Sequence, residues 1–276
     1  MVSLRGRTQT RLIVLPPSRL TAAPESFRNT EVDANRHDSL VAEMQRFRGM
    51  VYVQDGAVQK SALTSDGRHK LAVDDRSWHV LTLDKDNSVC ACLRYLDESR
   101  AGSFEDLWIR HAALSRLPAL GKKFRGAVEI GMRTARRIGM GFGEVGGWAV
   151  AEAYRRTIEP LRIILATYGL LRLLGGALGL ATATFRHDSA PILRRIGLTS
   201  LVASGQELPP YYDPHYGCQM EVLQFDSRHP QPKYEDWVSE LTADLAVAPV
   251  ICRERAKARL QDVLAGLELS PEPLAA

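Results

Sequence analysis

The sequence predicts an α/β or α+β fold built on a mixed central sheet. The composition is that of a globular chain, since 45% of the 276 residues are hydrophobic and 25% are charged, which is enough for a sizeable buried core. The predicted elements follow the order helix, hairpin, helix, strand, helix, strand, helix, strand. A hairpin contributes antiparallel strands and a strand–helix–strand unit contributes parallel ones, so this order requires a sheet of both kinds.

The N-terminal part of the chain is predicted to contain a leader and one helix. Residues 1–37 form an irregular leader, in which residues 11–15 have the composition of a short strand. Apolar residues then recur at helical spacing over residues 38–53, which predicts a helix there. Asp38 or Ser39 is the expected cap of this helix, because both side chains accept hydrogen bonds from backbone N–H groups.

The strands and helices of the main domain follow, identified by alternating and helical apolar spacing. The predicted strands are 78–83, 89–95, 144–151, 178–185 and 217–225. The predicted helices are 122–138, 156–174 and 189–196. Two more helices, 234–245 and 253–267, form a helical tail. The chain therefore divides into the leader, one domain over residues 38–227 and a C-terminal tail over 228–276.

Charge and cysteine content narrow the class of protein. The formal net charge is only +4, which does not indicate a nucleic-acid partner. The four cysteines have no spacing typical of a zinc site or a disulfide framework, and no apolar signal segment opens the chain, so we expect no metal and a cytoplasmic location. The apolar stretch 163–185 is interrupted by Arg172 and by glycines, which favours a buried helix and strand over a transmembrane segment.

Three stretches together resemble a known fold. Residues 78–96 look like an early hairpin, residues 144–157 like a central strand that runs into a phosphate-binding turn, and residues 185–198 like a later strand–helix unit. In this order they resemble the GNAT superfamily of N-acyltransferases. The resemblance implies a mostly antiparallel central sheet flanked by helices, and transfer of an acyl group from a thioester to an amine.

Within that superfamily the chain is most similar to autoinducer synthases and long-chain N-acyl amino acid synthases. The matching positions are Arg46-Phe47-Arg48, Asp74-Asp75, Arg94-Tyr95-Leu96, Phe104 with Leu107, and Glu144. The sequence departs from the relatives at three places. Gly147 stands where autoinducer synthases have an arginine, Ile158-Glu159-Pro160 replaces the glycines of the phosphate-binding turn, and Leu193 replaces a tyrosine that often serves as the general acid.

Glu144 is the expected catalytic base, because burial on a central strand raises the pKa of a carboxyl group toward neutrality. The alternative is a structural Glu144 that pairs with an arginine such as Arg94. His187 and His79 are second choices for the base, although a lone histidine on a strand is more often a packing residue.

The remaining site residues are assigned by the chemistry of a thioester and an amine. Arg155, Arg156 and Thr157 lie where a strand meets a helix N-terminus, where backbone N–H groups attract phosphates, and Val150 belongs to the strand whose backbone would hold the thioester. Arg94 suits a carboxylate of the acceptor. Trp78 and Trp148 are expected to line the substrate pocket, and plain core positions are the alternative for both. Arg136 to Gly141 also fits an acyl-CoA pattern, but it lies where a helix ends.

The expected donor is acyl carrier protein or acyl-CoA, with no prosthetic group. Acyl carrier protein is strongly acidic, so a basic helix face suits it, and a solvated face is the alternative. The residues of this basic face are Lys122, Arg125, Arg133, Arg136 and Arg137. The predicted function is transfer of a long-chain acyl group to a small amino-acid-like amine. Two alternatives are a homoserine-lactone synthase that uses S-adenosylmethionine, and a non-catalytic module that binds an acyl carrier.

Overall fold

One large sheet organises the structure, a computed structural model that describes residues 10–20 and 22–254. Ten of the twelve described strands belong to this sheet, and the other two, β8 and β9, form a small hairpin. The strands are β1 (Arg11–Leu15), β2 (Thr30–Val32), β3 (Ser77–Leu83), β4 (Val89–Asp97), β5 (Gly141–Val150), β6 (Ala177–Thr184), β7 (Thr199–Ser200), β8 (Val202–Ala203), β9 (Gln206–Glu207), β10 (Tyr211–Asp213), β11 (Cys218–Asp226) and β12 (Val250–Cys252).

The strand directions confirm the predicted fold class. Along the sheet the order is β10, β11, β6, β5, β4, β3, β1, β12 and β2, and the short β7 pairs with β11. Neighbours are antiparallel except for three pairs, which are β5 with β6, β1 with β12, and β12 with β2. The sheet is therefore mixed and mostly antiparallel. The central parallel pair β5–β6 requires a crossover connection, which a helix supplies.

Five α-helices cover the two faces of the sheet. They are α1 (Ala34–Gln54), α2 (Gly121–Arg137), α3 (Glu159–Leu173), α4 (Ser189–Ile196) and α5 (Glu235–Val247). Helices α1 and α2 pack on one face in two separate apolar clusters, whereas α3, α4 and α5 share one cluster on the other face. Between α1 and α2 the sheet surface carries buried polar side chains in place of a continuous apolar layer.

Helix α1 begins four residues before the predicted start. Asp33 has an extended backbone, and its side chain accepts a hydrogen bond from the Arg36 N–H at 2.9 Å, so Asp33 is the cap. The expectation that Asp38 or Ser39 caps this helix is wrong. The first turn contains the polar residues Asn35, which is exposed, and Arg36, which is half-buried, and for this reason the apolar periodicity did not reveal it.

Both ends of the described chain add strands to the sheet. Strand β1 pairs with β3, and β12 lies between β1 and β2. The strand predicted over residues 217–225 is present as β11 but is not the last strand, since β12 follows α5. A strand of three residues is too short to show an alternating pattern. The predicted helix 253–267 lies outside the described residues from residue 255 onward.

Other expectations concern membranes, metals and thiols. None of the described helices is long and apolar enough to cross a membrane. Within residues 10–20 and 22–254, no three His, Cys, Asp or Glu side chains are close enough together to hold a metal ion. All four cysteines are free thiols.

Candidate active site

The central parallel strands separate partway along their length. Strands β5 and β6 pair from Gly141 with Ala177 to Val145 with Ala181. Beyond that point β5 continues to Val150 and β6 to Thr184 without pairing with each other. A cleft therefore opens in the middle of the sheet, at the C-terminal ends of both strands.

A bulge in β5 lies at the start of this cleft. The register with β4 shifts so that Gly147 and Trp148 together face a single residue of β4. Gly147 has φ +66°, and a Cβ built on it would lie 3.2 Å from Cγ of Arg94 and 3.3 Å from Nη1 of Arg48. Backbone conformation and space both require glycine here. A side chain at this position would have to displace Arg94 or Arg48.

A cavity of about 460 Å³ occupies the cleft and reaches both faces of the sheet. On the face of α1 and α2 its lining includes Arg94 and Glu144. On the opposite face it includes the apolar Ile164 of α3 and Leu193 of α4. The cavity therefore has a polar end and an apolar end.

A small apolar pocket of about 20 Å³ adjoins the apolar end and shares Val145, Ile164 and Leu193 with the cavity. The rest of its lining is Thr167, Tyr168, Leu171, Ile196, Leu198 and Phe225.

Arg94 and Glu144 form a buried ion pair at the polar end. Nη2 of Arg94 donates to Oε1 of Glu144 at 2.7 Å, and both side chains are almost fully buried. Burial raises the pKa of Glu144, and the charge of Arg94 opposes this rise without cancelling it. Nε and Nη1 of Arg94 are buried and have no hydrogen-bond partner among the described residues. The pair thus combines a carboxylate that binds protons more readily than usual with two free donors.

A second buried ion pair supports the first. Nη1 and Nη2 of Arg48 donate to the two carboxylate oxygens of Asp74 at 3.0 and 2.7 Å, and neither side chain is exposed. Gln45 and the backbone N–H of Leu71 also donate to Asp74. Burial acts to raise the pKa of Asp74, but Arg48 holds this pKa below its usual value. Because Arg48 lies against Gly147, the cluster fixes one wall of the bulge.

His79 lies beside this cluster. Its Nε2 is 2.9 Å from the backbone oxygen of Asp74, and burial lowers the pKa of its imidazole to about 4. His79 is not among the residues that line the cavity.

Two side chains of the turn predicted to bind phosphates already bond to other groups of the protein. Arg155 pairs with Asp55 at 2.8 Å and donates from Nε to the Val150 oxygen at 3.1 Å. Oγ1 of Thr157 accepts from the Glu159 N–H at 3.1 Å. Helix α3 begins at Glu159 and not at residue 156 as predicted. Arg156 is exposed. None of Val150, Arg155, Arg156 and Thr157 lines the cavity, and their role in phosphate binding stays a prediction.

The two predicted pocket tryptophans lie in different places. Trp148 lines the cavity, and its Nε1 is buried without a partner among the described residues. Trp78 is buried in the core, where it stacks on Phe27 with 5.6 Å between ring centroids, and it is not part of the cavity lining. His187 falls in a short turn before α4, and its side chain lies outside the described part of the structure.

Several cavity residues were not predicted as site residues. Tyr52 of α1 donates to the Trp148 oxygen at 3.3 Å, and Tyr211 and Tyr216 come from β10 and the turn after it. The aromatic run 211–216 was noticeable in the sequence, but nothing in it showed which ring faces a site. Glu98 does not line the cavity but is a further buried acid that the sequence did not indicate. It is buried beyond the end of β4, accepts from the Trp108 N–H at 2.6 Å, and burial raises its pKa to about 7.

The basic face of α2 is exposed as predicted. Arg125 pairs with Glu105 and Arg136 donates to the Ala101 oxygen, so two of its cations already have protein partners. Ile130 is 55% exposed on the same helix. The five basic residues lie on one exposed side of the helix, next to this apolar side chain, which is open to solvent.

Comparison with known proteins identifies the fold. No protein-family model matches the sequence, and no curated protein sequence matches it. Among solved structures, the chain is similar to BjaI, a CoA-dependent acyl-homoserine lactone synthase solved with S-adenosylmethionine and isopentyl-CoA. The TM-score is 0.54 at 12% identity, over 95% of this chain and 100% of BjaI. It is also similar to MesI, another CoA-dependent acyl-homoserine lactone synthase, with a TM-score of 0.52 at 12% identity over 84% of this chain and 95% of MesI. At this identity the likeness shows a shared GNAT-like fold, which the sequence predicted.

Proposed function

We propose that this protein is an N-acyltransferase that moves an acyl group from a thioester to the amine of a small amino-acid-like acceptor. The observation that carries the proposal is the cavity that crosses the sheet where β5 and β6 separate, with the Arg94–Glu144 pair at one end and apolar residues at the other. The fold shared with BjaI and MesI, both CoA-dependent acyl-homoserine lactone synthases, supports this chemistry.

The separated strands suit the pantetheine arm of a thioester donor. Along the cleft, β5 and β6 face each other without a shared ladder. A pantetheine arm contains amide groups, which can bond to strand backbone in the way that a further strand would. We expect the thioester carbonyl to lie near the bulge at Gly147, between the two ends of the cavity.

The apolar end suits the acyl chain. Ile164 and Leu193 line it, and the small apolar pocket behind them ends at Phe225 and Tyr168. Each buried CH₂ group contributes about 0.8 kcal/mol, so several methylenes in this region would add several kcal/mol to donor binding. This end of the cavity therefore favours a fatty acyl group.

Glu144 is the proposed base. The raised pKa of its carboxylate suits it to take a proton from an ammonium group, directly or through a water molecule. A positioned base accelerates such a step by about 10²–10⁴-fold. Its pairing with Arg94, which the sequence left open as a structural alternative, is compatible with this role because both side chains line the same cavity.

Arg94 is the proposed site for the carboxylate of the acceptor. Its free Nε and Nη1 are buried donors, and a buried donor without a partner costs about 1–3 kcal/mol. A carboxylate would satisfy these donors once the Arg94 side chain turns toward the cavity, and it would then hold the acceptor beside Glu144. The amine and the base are then brought together by one substrate contact.

The donor is proposed to be acyl carrier protein or acyl-CoA. Acyl carrier protein is acidic and would dock on the basic face of α2 around Ile130. The phosphate would be held by Arg155, Arg156 and Thr157, where Arg156 is the exposed cation. A comparison of steady-state rates with acyl-CoA and with acyl carrier protein shows which of the two is the donor.

The test is an assay of product mass. The protein is incubated with acyl-CoA and acyl carrier protein donors of several chain lengths and with a panel of amino acids, and we expect an N-acyl amino acid. Glu144→Gln should lower kcat about 10²-fold or more. It also removes the charge that pairs with buried Arg94, so thermal unfolding should occur at a lower temperature, and rates are compared at a temperature where both proteins are folded. If no combination releases free thiol although the carrier protein binds, the protein is a binding module and the proposal fails.

A homoserine-lactone synthase is the second candidate, favoured by the fold shared with BjaI and MesI. In that case the acceptor is S-adenosylmethionine and the product is an acyl lactone. Adding S-adenosylmethionine to the same assay separates the candidates by product mass, and a lactone as the main product would replace the first proposal.

A further inference from the structure

Thioester aminolysis also needs a proton for the leaving sulfur. The nitrogen of the acceptor forms a bond to the carbonyl carbon, and the carbon–sulfur bond then breaks with its electron pair going to sulfur. Glu144 is proposed to receive a proton from the nitrogen, so another group must pass a proton directly to the thiolate. Leu193, at the position where relatives often have a tyrosine, has no proton to give and faces the apolar end of the cavity.

Tyr216 is a tyrosine that lines the same cavity. It belongs to the turn between β10 and β11, and it lines the cavity together with Arg94 and Glu144. Thr184, the last residue of β6, pairs with Met220 near the start of β11. The turn therefore lies beyond the C-terminal end of β6, at the end of the sheet where β5 and β6 have separated.

The turn that carries Tyr216 is firmly held. Oδ1 of Asp213 accepts from the N–H groups of His215 and Tyr216 at 2.9 and 3.4 Å. Nη2 of Arg186 donates to the Gly217 oxygen at 3.1 Å, and Nη1 of the same side chain donates to the Gly56 oxygen at the end of α1. The ring of His215 packs edge-on against that of Tyr216 with 4.9 Å between centroids. The phenol is thus positioned before any substrate binds.

The hydroxyl of Tyr216 is free to act on a ligand. It makes no hydrogen bond to any described residue, and it is not among the enclosed side-chain atoms without a partner, unlike the hydroxyl of Tyr211. Burial raises the pKa of Tyr216, while nearby Arg94 opposes the rise and Asp213 and Glu144 add to it. The phenol therefore keeps its proton at neutral pH and is a donor, not a base.

We propose that Tyr216 is the catalytic acid that protonates the leaving thiolate. This inference rests on the proposed function. The acceptor ammonium first loses one proton, which leaves through Glu144 and water to solvent, and the nitrogen gives a second proton to Glu144 as the carbon–nitrogen bond forms. The proton of the Tyr216 hydroxyl passes to sulfur as the carbon–sulfur bond breaks, and the resulting phenolate recovers the second proton from the Glu144 carboxylic acid through water in the cavity, so that one proton is released to solvent in each turnover. Each turnover then returns both side chains to their starting states, and the free thiol and the amide are the products.

The test compares Tyr216→Phe with Tyr212→Phe. Tyr212 lies on the adjacent strand but is 56% exposed and does not line the cavity, so it is a matched control. We expect Tyr216→Phe to lower kcat by about 10²-fold with a nearly unchanged KM, while Tyr212→Phe keeps the kcat of the wild type. Thermal unfolding of both variants should match the wild type.

The pH profile gives a readout that a structural role does not affect. In the wild type, kcat should fall at high pH as Tyr216 loses its proton, and the residual activity of Tyr216→Phe should lack this fall. A wild-type profile without the fall, or a Tyr216→Phe variant with wild-type kcat, overturns the inference while acyl transfer itself stands. Failure of the proposed function shows differently, as a wild type that transfers no acyl group.

Discussion

Replacement of Gly147 by alanine tests whether the bulge in β5 positions the Arg94–Glu144 pair. An L-residue in the left-handed region costs about 1–2 kcal/mol. The added Cβ also lies 3.2 Å from Cγ of Arg94 and 3.3 Å from Nη1 of Arg48, both of which are packed inside the protein. Overpacking of this kind costs about 1–3 kcal/mol more. We therefore expect Gly147→Ala to lower the free energy of unfolding by about 2–5 kcal/mol.

Gly139→Ala is the matched control. Gly139 has φ +70°, nearly the same as Gly147, but a Cβ there meets nothing within 4 Å. Only the backbone cost of about 1–2 kcal/mol applies to it. Urea unfolding of both variants measures the difference, which is the cost of crowding at Arg94 and Arg48.

Activity provides the second half of this test. A displacement of Arg94 moves the donors that would hold the acceptor, and a misplacement of 1 Å can cost about 10²-fold in rate. We expect kcat/KM to fall at least tenfold in Gly147→Ala and to stay near the wild-type value in Gly139→Ala. Equal stability loss in the two variants, or full activity in Gly147→Ala, would refute the idea that glycine at 147 is required by its two arginine neighbours.

Three further predictions concern charge. Burial raises the pKa of Glu98 to about 7 in the folded protein, from an ordinary 4.5. The stability that Glu98 contributes is therefore complete below about pH 4.5 and is lost as the pH rises toward 7. In Glu98→Gln, the free energy of unfolding measured in urea should change less with pH across this window. The pKa of Asp74 is lowered in the folded protein, so the stability that Asp74 contributes is present above its unfolded pKa and is lost as the pH falls through the folded value. Asp74→Asn should lower the free energy of unfolding by about 3–5 kcal/mol at neutral pH, because Arg48 loses its buried carboxylate partner. The difference between Asp74→Asn and the wild type should become smaller in acid. The double variant Arg133→Glu with Arg137→Glu should raise KM for an acyl carrier protein donor and leave KM for acyl-CoA unchanged. The control is Arg195→Glu, which reverses the charge of an exposed arginine on another helix. Equal effects on both donors would exclude α2 as the surface that binds the carrier protein.

The sequence predicts the helices and strands in which a periodic pattern of apolar residues extends over many neighbouring positions. Helix α4 has the predicted bounds, and α2 differs from its prediction by one residue at each end. Strands β2 and β12 have three residues each and are defined by partners that are distant in the chain, so local periodicity cannot reveal them. The first turn of α1 was missed because its polar residues form no apolar stripe.

In the candidate site, too, the residues that were predicted are those on long elements with a clear local pattern. Arg94 and Glu144 lie on long strands, and both residues, which the sequence proposed for the site, line the cavity. The distant partners of a residue are not visible in this way. Asp55, which pairs with Arg155, lies 100 residues earlier in the chain. Tyr216 reaches the cavity through a turn held by Arg186, which also bonds to the end of α1.

The cavity that crosses the sheet has a consequence for how such an enzyme can diversify. Ile164 and Leu193 lie on one side of the strands, and Arg94 and Glu144 lie on the other. Under the proposed function, substitutions on α3 and α4 alter the preferred acyl group without touching the residues that recognise the amine. Selection can therefore change one substrate at a time, and a family of products arises from one scaffold by independent steps.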